Sequence, residues 1–150
     1  MNFKRRQFLA TTALTLAAGA LRVPMAAASD SLLERPIPAS GESIPAIGMG
    51  TSGSFEVGTD AAARDPLREV LRRFVAGGAR LVDTAPSYGT AESVLGDLLA
   101  ELELRDQVFL ATKLSSVGRE AGAAQFAQSL ARLRTDKVEL LQVHNLRDWQ

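Results

Sequence analysis

Mostly apolar runs alternate with longer stretches of helical periodicity along the chain. The runs at 80–84, 108–113 and 138–144 each end in polar side chains, and an earlier run at 44–49 precedes them. Nearly continuous apolar runs of this length are typical of strands that are buried on both faces. Because one amphipathic stretch separates each strand from the next, the pattern predicts an α/β fold with a parallel sheet covered by helices.

Three helices are predicted from the spacing of apolar residues at intervals of three and four. The first has Asp65 as its N-cap, Pro66 at its first position and Gly77 after its end. Its apolar stripe consists of Leu67, Val70, Leu71, Phe74 and Val75. The second helix starts near Thr90, and its buried face consists of Val94, Leu95, Leu98, Leu99 and Leu102. The third covers 121–134, with inward residues Phe126, Leu130 and Leu133.

Two glycine-containing segments precede the first helix. Residues 37–44 predict a short hairpin with its turn at Ser40 and Gly41. Residues 48–53 match G-x-G-x-x-G, but a dinucleotide fingerprint requires a helix to begin at the third glycine. Residues 54–64 separate that glycine from the first helical pattern, so a Rossmann dehydrogenase is disfavoured. The glycines are instead predicted to let the backbone pass close to a ligand.

The first 28 residues have the three parts of a cleavable signal peptide: a basic head, an apolar stretch and small residues at 26–28. The pair Arg5 and Arg6 resembles a twin-arginine export signal, which predicts the export machinery as a partner and a periplasmic location. A membrane anchor is the alternative. It is disfavoured because Arg22 and Pro24 interrupt an apolar stretch that is already shorter than the roughly 20 residues a span needs.

Removal of this segment changes the charge of the remaining chain. It takes away four of the 17 basic residues and none of the 17 acidic ones, which leaves a net charge of −4. That balance gives no reason to expect nucleic acid as a partner. The chain contains no cysteine, which excludes disulfides and thiolate metal ligands, and no metal site is predicted.

Four polar residues are predicted to meet at one edge of the sheet. Asp83, Lys113 and His144 lie at the carboxyl ends of three successive predicted strands, and Tyr88 follows the first of these strands. In parallel α/β folds the functional site lies at that edge. Each residue also has a structural alternative: a turn aspartate, a lysine where a strand meets solvent, a packed loop tyrosine, a structural imidazole. Four such residues at the same edge of the predicted sheet favour a functional site over these structural alternatives.

The segments 78–85, 88–89 and 92–96 resemble the signature of the aldo/keto reductase family. The segments 111–113 and 130–145 resemble the next two motifs of that family. The resemblance implies a (β/α)8 TIM barrel and reduction of an aldehyde or ketone with NADPH, NADH being the alternative cofactor. It also implies a catalytic tetrad, which by motif match consists of Asp83, Tyr88, Lys113 and His144.

The residue types suit this chemistry. Tyr88 would donate a proton to the carbonyl oxygen, and His144 would hydrogen-bond and orient that oxygen. A free phenol titrates near pH 10, and lowering that value by about two units requires roughly 3 kcal/mol. An ammonium about 4 Å away supplies a Coulomb term of that order, so Lys113 is expected to tune Tyr88, with Asp83 holding Lys113. Residues predicted to contact the cofactor are Gly50, Thr51, Asp83 and Asn145.

The chain departs from the family in its length. Residues 29–150 are expected to be the first four β/α units of a truncated barrel, whereas a complete barrel has eight strands and about 250 residues. The resemblance implies that most cofactor-gripping residues lie in the second half. We therefore expect 29–150 alone to lack activity, and its open strand edges could pair in self-association. A non-catalytic relative that acts as a binding module is the alternative function.

Overall fold

The computed structural model describes residues 32–145, and the predicted signal segment lies outside them. A hairpin comes first, with β1 at Glu34–Pro36 and β2 at Ser43–Pro45. The strands of the main sheet are β3 at Met49–Gly50, β4 at Leu81–Asp83, β5 at Phe109–Leu114 and β6 at Leu140–Val143. The helices are α1 at Ala61–Ala76, α2 at Ala91–Glu101 and α3 at Arg119–Leu133.

The main sheet has the strand order β3-β4-β5-β6, and each neighbouring pair is parallel. One helix connects each strand to the next, as parallel pairs require. Residues at the centre of the sheet, such as Val82, Leu110 and Thr112, are fully buried. The predicted α/β class with parallel strands is therefore confirmed.

The predicted strand at 44–49 is wrong in its extent. Ile44 pairs with Arg35 inside the hairpin, and β2 ends at Pro45. Proline has no N–H to donate to a neighbouring strand, so it is not expected within a central strand. The chain bends after Pro45, and only Met49 and Gly50 enter the main sheet.

The hairpin lies near the amino ends of the parallel strands. Its turn is where the sequence predicts it, and Gly41 has a φ of 75°, a left-handed conformation that favours glycine. A cavity of about 420 Å³ lies between hairpin and sheet, and its lining includes Leu81, Phe109 and Leu140. These three residues begin β4, β5 and β6, so the cavity lies at the opposite end of the strands from the predicted site.

Helix α1 begins earlier than predicted. Its N-cap is Asp60 rather than Asp65, and the Asp60 carboxylate accepts hydrogen bonds from two backbone N–H groups of the first turn. Residues 61–64 are strong helix formers and extend the helix ahead of Pro66, which lies inside it. Within the predicted apolar stripe, Val70 is exposed and the other four residues are buried or partly buried.

Helices α2 and α3 follow their predicted boundaries closely. Thr90 is the N-cap of α2, four residues of its predicted face are buried, and Leu102 just beyond it is partly buried. Helix α3 starts two residues earlier than predicted, after Gly118, which has a φ of 86°. Leu133 is buried as predicted, and the two other inward residues of α3 are partly buried.

A buried carboxylate joins α2, β5 and α3. Glu92 is 1% exposed, and its Oε1 accepts a hydrogen bond of 2.8 Å from the Thr112 hydroxyl. Its Oε2 lies 3.3 Å from a guanidinium nitrogen of Arg132. A buried charge is tolerated when it is paired and hydrogen-bonded, as here. Since Thr112 directly precedes Lys113, this network ties the strand that carries Lys113 to two helices.

Strand β6 is the least covered strand of the main sheet. Its apolar residues Leu140, Leu141 and Val143 all remain exposed. Self-association through such an edge stays a prediction. Within residues 32–145, every helix is too short or too polar to cross a membrane.

Candidate active site

Strand register places the candidate residues on one face of the sheet. Asp83, the last residue of β4, lies opposite Ala111 in β5, and Lys113 lies opposite Gln142 in β6. Residues two apart on a strand point to the same face, and so do residues directly opposite each other. Asp83, Lys113 and Gln142 therefore share a face, and His144, two residues beyond Gln142, continues it.

Lys113 and Asp83 form a partly buried ion pair. The Lys113 Nζ donates to Asp83 Oδ2 at 2.5 Å and to the Thr84 backbone oxygen at 2.8 Å. The Lys113 side chain is 12% exposed and that of Asp83 is 35% exposed. Salt screens a partly buried pair less than one on the open surface. The ammonium is thus held at the strand end instead of extending into solvent.

Tyr88 lies in the turn between β4 and α2. Its N–H donates to the Ala85 oxygen at 3.1 Å, and its carbonyl accepts a hydrogen bond of 2.8 Å from the N–H of Ala91, the first residue of α2. This turn brings the phenol ring next to the ion pair. The Lys113 Nζ lies 5.1 Å from the ring centroid, within the range of a cation–π contact.

His144 lies beside the same ring. The centroids of the His144 and Tyr88 rings are 5.9 Å apart, and their planes meet at 84°, an edge-to-face arrangement. The His144 Nδ1 is 3.4 Å from the Ser87 hydroxyl oxygen, and the tautomer decides which of the two donates. The Tyr88 ring therefore has the ammonium and the imidazole as neighbours.

Sequence reasoning missed two residues that contact this cluster, Gln142 and Ser87. The Gln142 Nε2 donates to Asp83 Oδ1 at 2.9 Å. A signal for Gln142 does exist, because it is the single amide within the apolar run 140–143. Ser87 carries no comparable signal, since serine is ordinary in turns.

The residues predicted to contact a cofactor differ in exposure. Gly50 is the register partner of Asp83, is exposed, and a side chain there would meet no atom within 4 Å. Asn145 is also exposed. Thr51 is fully buried, and both its hydroxyl and its N–H donate to the Asp83 carbonyl at 3.1 Å. Thr51 thus holds the end of β4, and cofactor contact by these residues stays a prediction.

Comparison with known families and sequences gives a consistent result. The model of the aldo/keto reductase family matches residues 46–149. Aldo-keto reductase YhdN of Bacillus subtilis is 37% identical over 113 residues, which cover 65% of this chain and 33% of that protein. Methylglyoxal reductase YeaE of Escherichia coli is 37% identical over 106 residues, covering 68% of this chain and 36% of that protein. The chain spans about a third of the length of these relatives.

Comparison with solved structures agrees with the sequence matches. The crystal structure of an aldo-keto reductase from Klebsiella pneumoniae in complex with NADPH matches with a TM-score of 0.64 and 30% identity. The match covers 75% of this chain and 40% of that protein. The parallel β/α units thus correspond to part of a (β/α)8 TIM barrel, as the family resemblance implies.

Proposed function

The chain belongs to the aldo/keto reductase family, and from that premise we propose that the full-length protein reduces an aldehyde or ketone to an alcohol with NADPH. The observation that supports this most strongly is the position of Tyr88. Its ring lies 5.1 Å from the Lys113 ammonium and 5.9 Å from the His144 imidazole. A proton donor, a cation and a hydrogen-bond donor at one strand edge are the groups that carbonyl reduction requires.

The residues that would hold the cofactor suit a group bound along the strand ends. Gly50 leaves its backbone open beside Asp83, and exposed Asn145 follows β6. When bound, the nicotinamide supplies a hydride to the carbonyl carbon. NADPH is the proposed form because the structurally similar Klebsiella pneumoniae enzyme was crystallised with it, and NADH is the alternative.

Each residue of the cluster has a proposed role in the transfer of a proton to the carbonyl oxygen. Tyr88 transfers its hydroxyl proton to the carbonyl oxygen as the alcohol forms. The Lys113 ammonium stabilises the negative charge that develops on the phenol oxygen. Asp83 holds that ammonium in place through their ion pair. His144 donates a hydrogen bond that orients the carbonyl oxygen.

A panel of aldehydes and ketones tests this proposal. Purified full-length protein is mixed with NADPH, and consumption of NADPH is followed at 340 nm while the alcohol is quantified. The proposal predicts carbonyl-dependent oxidation with one alcohol formed for each NADPH. NADPH binding without turnover on any carbonyl would contradict it and favour the binding-module alternative.

We also propose that residues 1–28 direct export to the periplasm through the twin-arginine machinery. The support is the sequence pattern, in which Arg5 and Arg6 precede an apolar stretch and small residues at 26–28. Cleavage after Ala28 is expected, so amino-terminal sequencing of periplasmic protein should begin at Ser29.

Replacing both Arg5 and Arg6 by lysine should leave the precursor in the cytoplasm, because the paired guanidinium groups are the distinctive part of this signal. The matched control is Arg22→Lys, the same exchange at an arginine outside the pair, which should not affect export. Periplasmic protein that still begins at Met1 would contradict the cleavage, and normal export of the Arg5 and Arg6 variant would contradict the route.

A further inference from the structure

We propose that Gln142 is a positioning residue for carbonyl reduction: it fixes the Asp83 carboxylate so that Lys113 stays next to Tyr88. This inference rests on the proposed function. Gln142 itself touches Asp83, and it acts on the reaction through Asp83 and Lys113.

The contact between Gln142 and Asp83 crosses one intervening strand. Asp83 ends β4 and Gln142 lies in β6, with β5 between them. Strands in a sheet are about 4.8 Å apart, so β4 and β6 are separated by about twice that distance. On β5, Ala111 opposes Asp83 and contributes only a methyl group to this face. The long amide of Gln142 can therefore reach the carboxylate, and its Nε2 donates to Oδ1 at 2.9 Å.

The two carboxylate oxygens of Asp83 have different partners. Lys113, which lies in β5, donates a hydrogen bond to Oδ2, and Gln142, which lies in β6, donates one to Oδ1. The χ2 torsion, which rotates the carboxylate of an aspartate, has a broad distribution, so a single hydrogen bond leaves the orientation of the carboxylate plane poorly defined. Two bonds from two strands define that plane. Because Lys113 is held by the same carboxylate, its place beside the Tyr88 ring depends on both bonds.

A neutral amide suits this position. It satisfies Oδ1 with an N–H donor and adds no second cation that would compete with Lys113 for the carboxylate. A glutamate at this place would present only acceptor oxygens to Asp83. If Gln142 served packing alone, methionine would replace it well, because methionine has nearly the same length and volume as glutamine.

The test compares Gln142→Met with Gln128→Met in the full-length protein. Gln128 is exposed on α3, so its variant makes the same chemical exchange away from the site. Loss of a hydrogen bond to a charged group predicts a fall in kcat of about ten- to a hundredfold for Gln142→Met. The KM values for NADPH and the carbonyl should stay within about twofold, and Gln128→Met should match wild type. Gln142→Glu, which keeps the shape and loses the donor, should also lower kcat about tenfold or more.

The outcomes distinguish failure of the proposed function from failure of the inference about Gln142. Wild-type protein that reduces no carbonyl would overturn the proposed function, and this inference with it. An active wild type with wild-type kcat in Gln142→Met and Gln142→Glu would overturn the inference alone. A loss of kcat that accompanies an equal rise in KM and a lower melting temperature would identify Gln142 as a packing residue and also overturn it.

Discussion

Tyr88→Phe is expected to reduce kcat for carbonyl reduction at least a hundredfold in the full-length protein, while the Kd for NADPH changes less than about twofold. General acid catalysis contributes typically about 10² to 10⁴ in rate. The ring that lies between Lys113 and His144 is kept, and only the hydroxyl that would donate the proton is lost. Steady-state kinetics and a fluorescence titration of NADPH measure the two quantities separately.

Lys113→Met provides the companion measurement, since it should remove activity by taking away the cation proposed to stabilise the phenolate. The matched control is Lys137→Met, at an exposed lysine beyond α3, which should keep wild-type kcat. Retention of more than about a hundredth of the wild-type rate by Tyr88→Phe, the low end of what a general acid contributes, would assign the proton transfer to another group.

Gly96→Ala is expected to destabilise the protein by about 2 kcal/mol or more, because α2 packs against the backbone of α3 at this point. A methyl group on Gly96 would overlap the Arg132 carbonyl oxygen and would lie 2.6 Å from the Leu133 Cα. Real Cβ atoms do not approach backbone this closely, so the helices would have to move apart. The intrinsic helix preference of alanine, about 1 kcal/mol, opposes this effect and is too small to cancel it.

The matched control for Gly96→Ala is Gly122→Ala in α3. Its added methyl group would lie 3.9 Å from the Leu114 Cδ1, an ordinary contact distance. That variant should therefore be neutral or stabilising by up to about 1 kcal/mol. Urea unfolding of both variants measures the difference. Equal midpoints for the two variants would contradict this account of the contact between α2 and α3.

The sequence predicts the sheet, the three helices described here and their order, because the signals for these elements lie in short stretches of the chain. Helical periodicity reports which helix faces are buried, and these faces were assigned correctly except at Val70. The apolar run of β6 was predicted to be buried, whereas its residues Leu140, Leu141 and Val143 are exposed. The errors occur where a specific residue changes the backbone. Pro45 ends the hairpin strand, and the Asp60 cap starts α1 before Pro66.

The candidate site was predictable to the extent that strand ends meet at one edge. Asp83, Lys113 and His144 could be placed together because they lie at or next to the carboxyl ends of successive parallel strands. The Gln142 bond was not predictable, because it depends on how far one amide reaches across β5. The hydrogen bond from the Thr51 hydroxyl to the Asp83 carbonyl was also not predictable, and contact of Thr51 with a cofactor stays a prediction. Alternation along a strand gives the face of a side chain and not its hydrogen-bond partner.

The contacts of the buried Glu92 carboxylate could likewise not be predicted from the sequence. Glu92 belongs to the segment that resembles the family signature, but its burial at 1% exposure follows from partners on β5 and α3. Thr112 and Arg132 are distant in sequence from Glu92, and periodicity along α2 does not pair them. Tertiary contacts decide which charged residue of a helix enters the core.

The most direct test of the central claim follows a hydride from cofactor to product. Full-length protein is incubated with an aldehyde and with NADPH that carries deuterium at both C4 positions of the nicotinamide ring, and the alcohol is examined by mass spectrometry. Carbonyl reduction by this family member predicts one deuterium on the carbinol carbon of every alcohol molecule formed, and formation of labelled alcohol at least about a hundredfold slower with Tyr88→Phe. Alcohol without deuterium, or labelled alcohol formed equally well by Tyr88→Phe, would contradict the account.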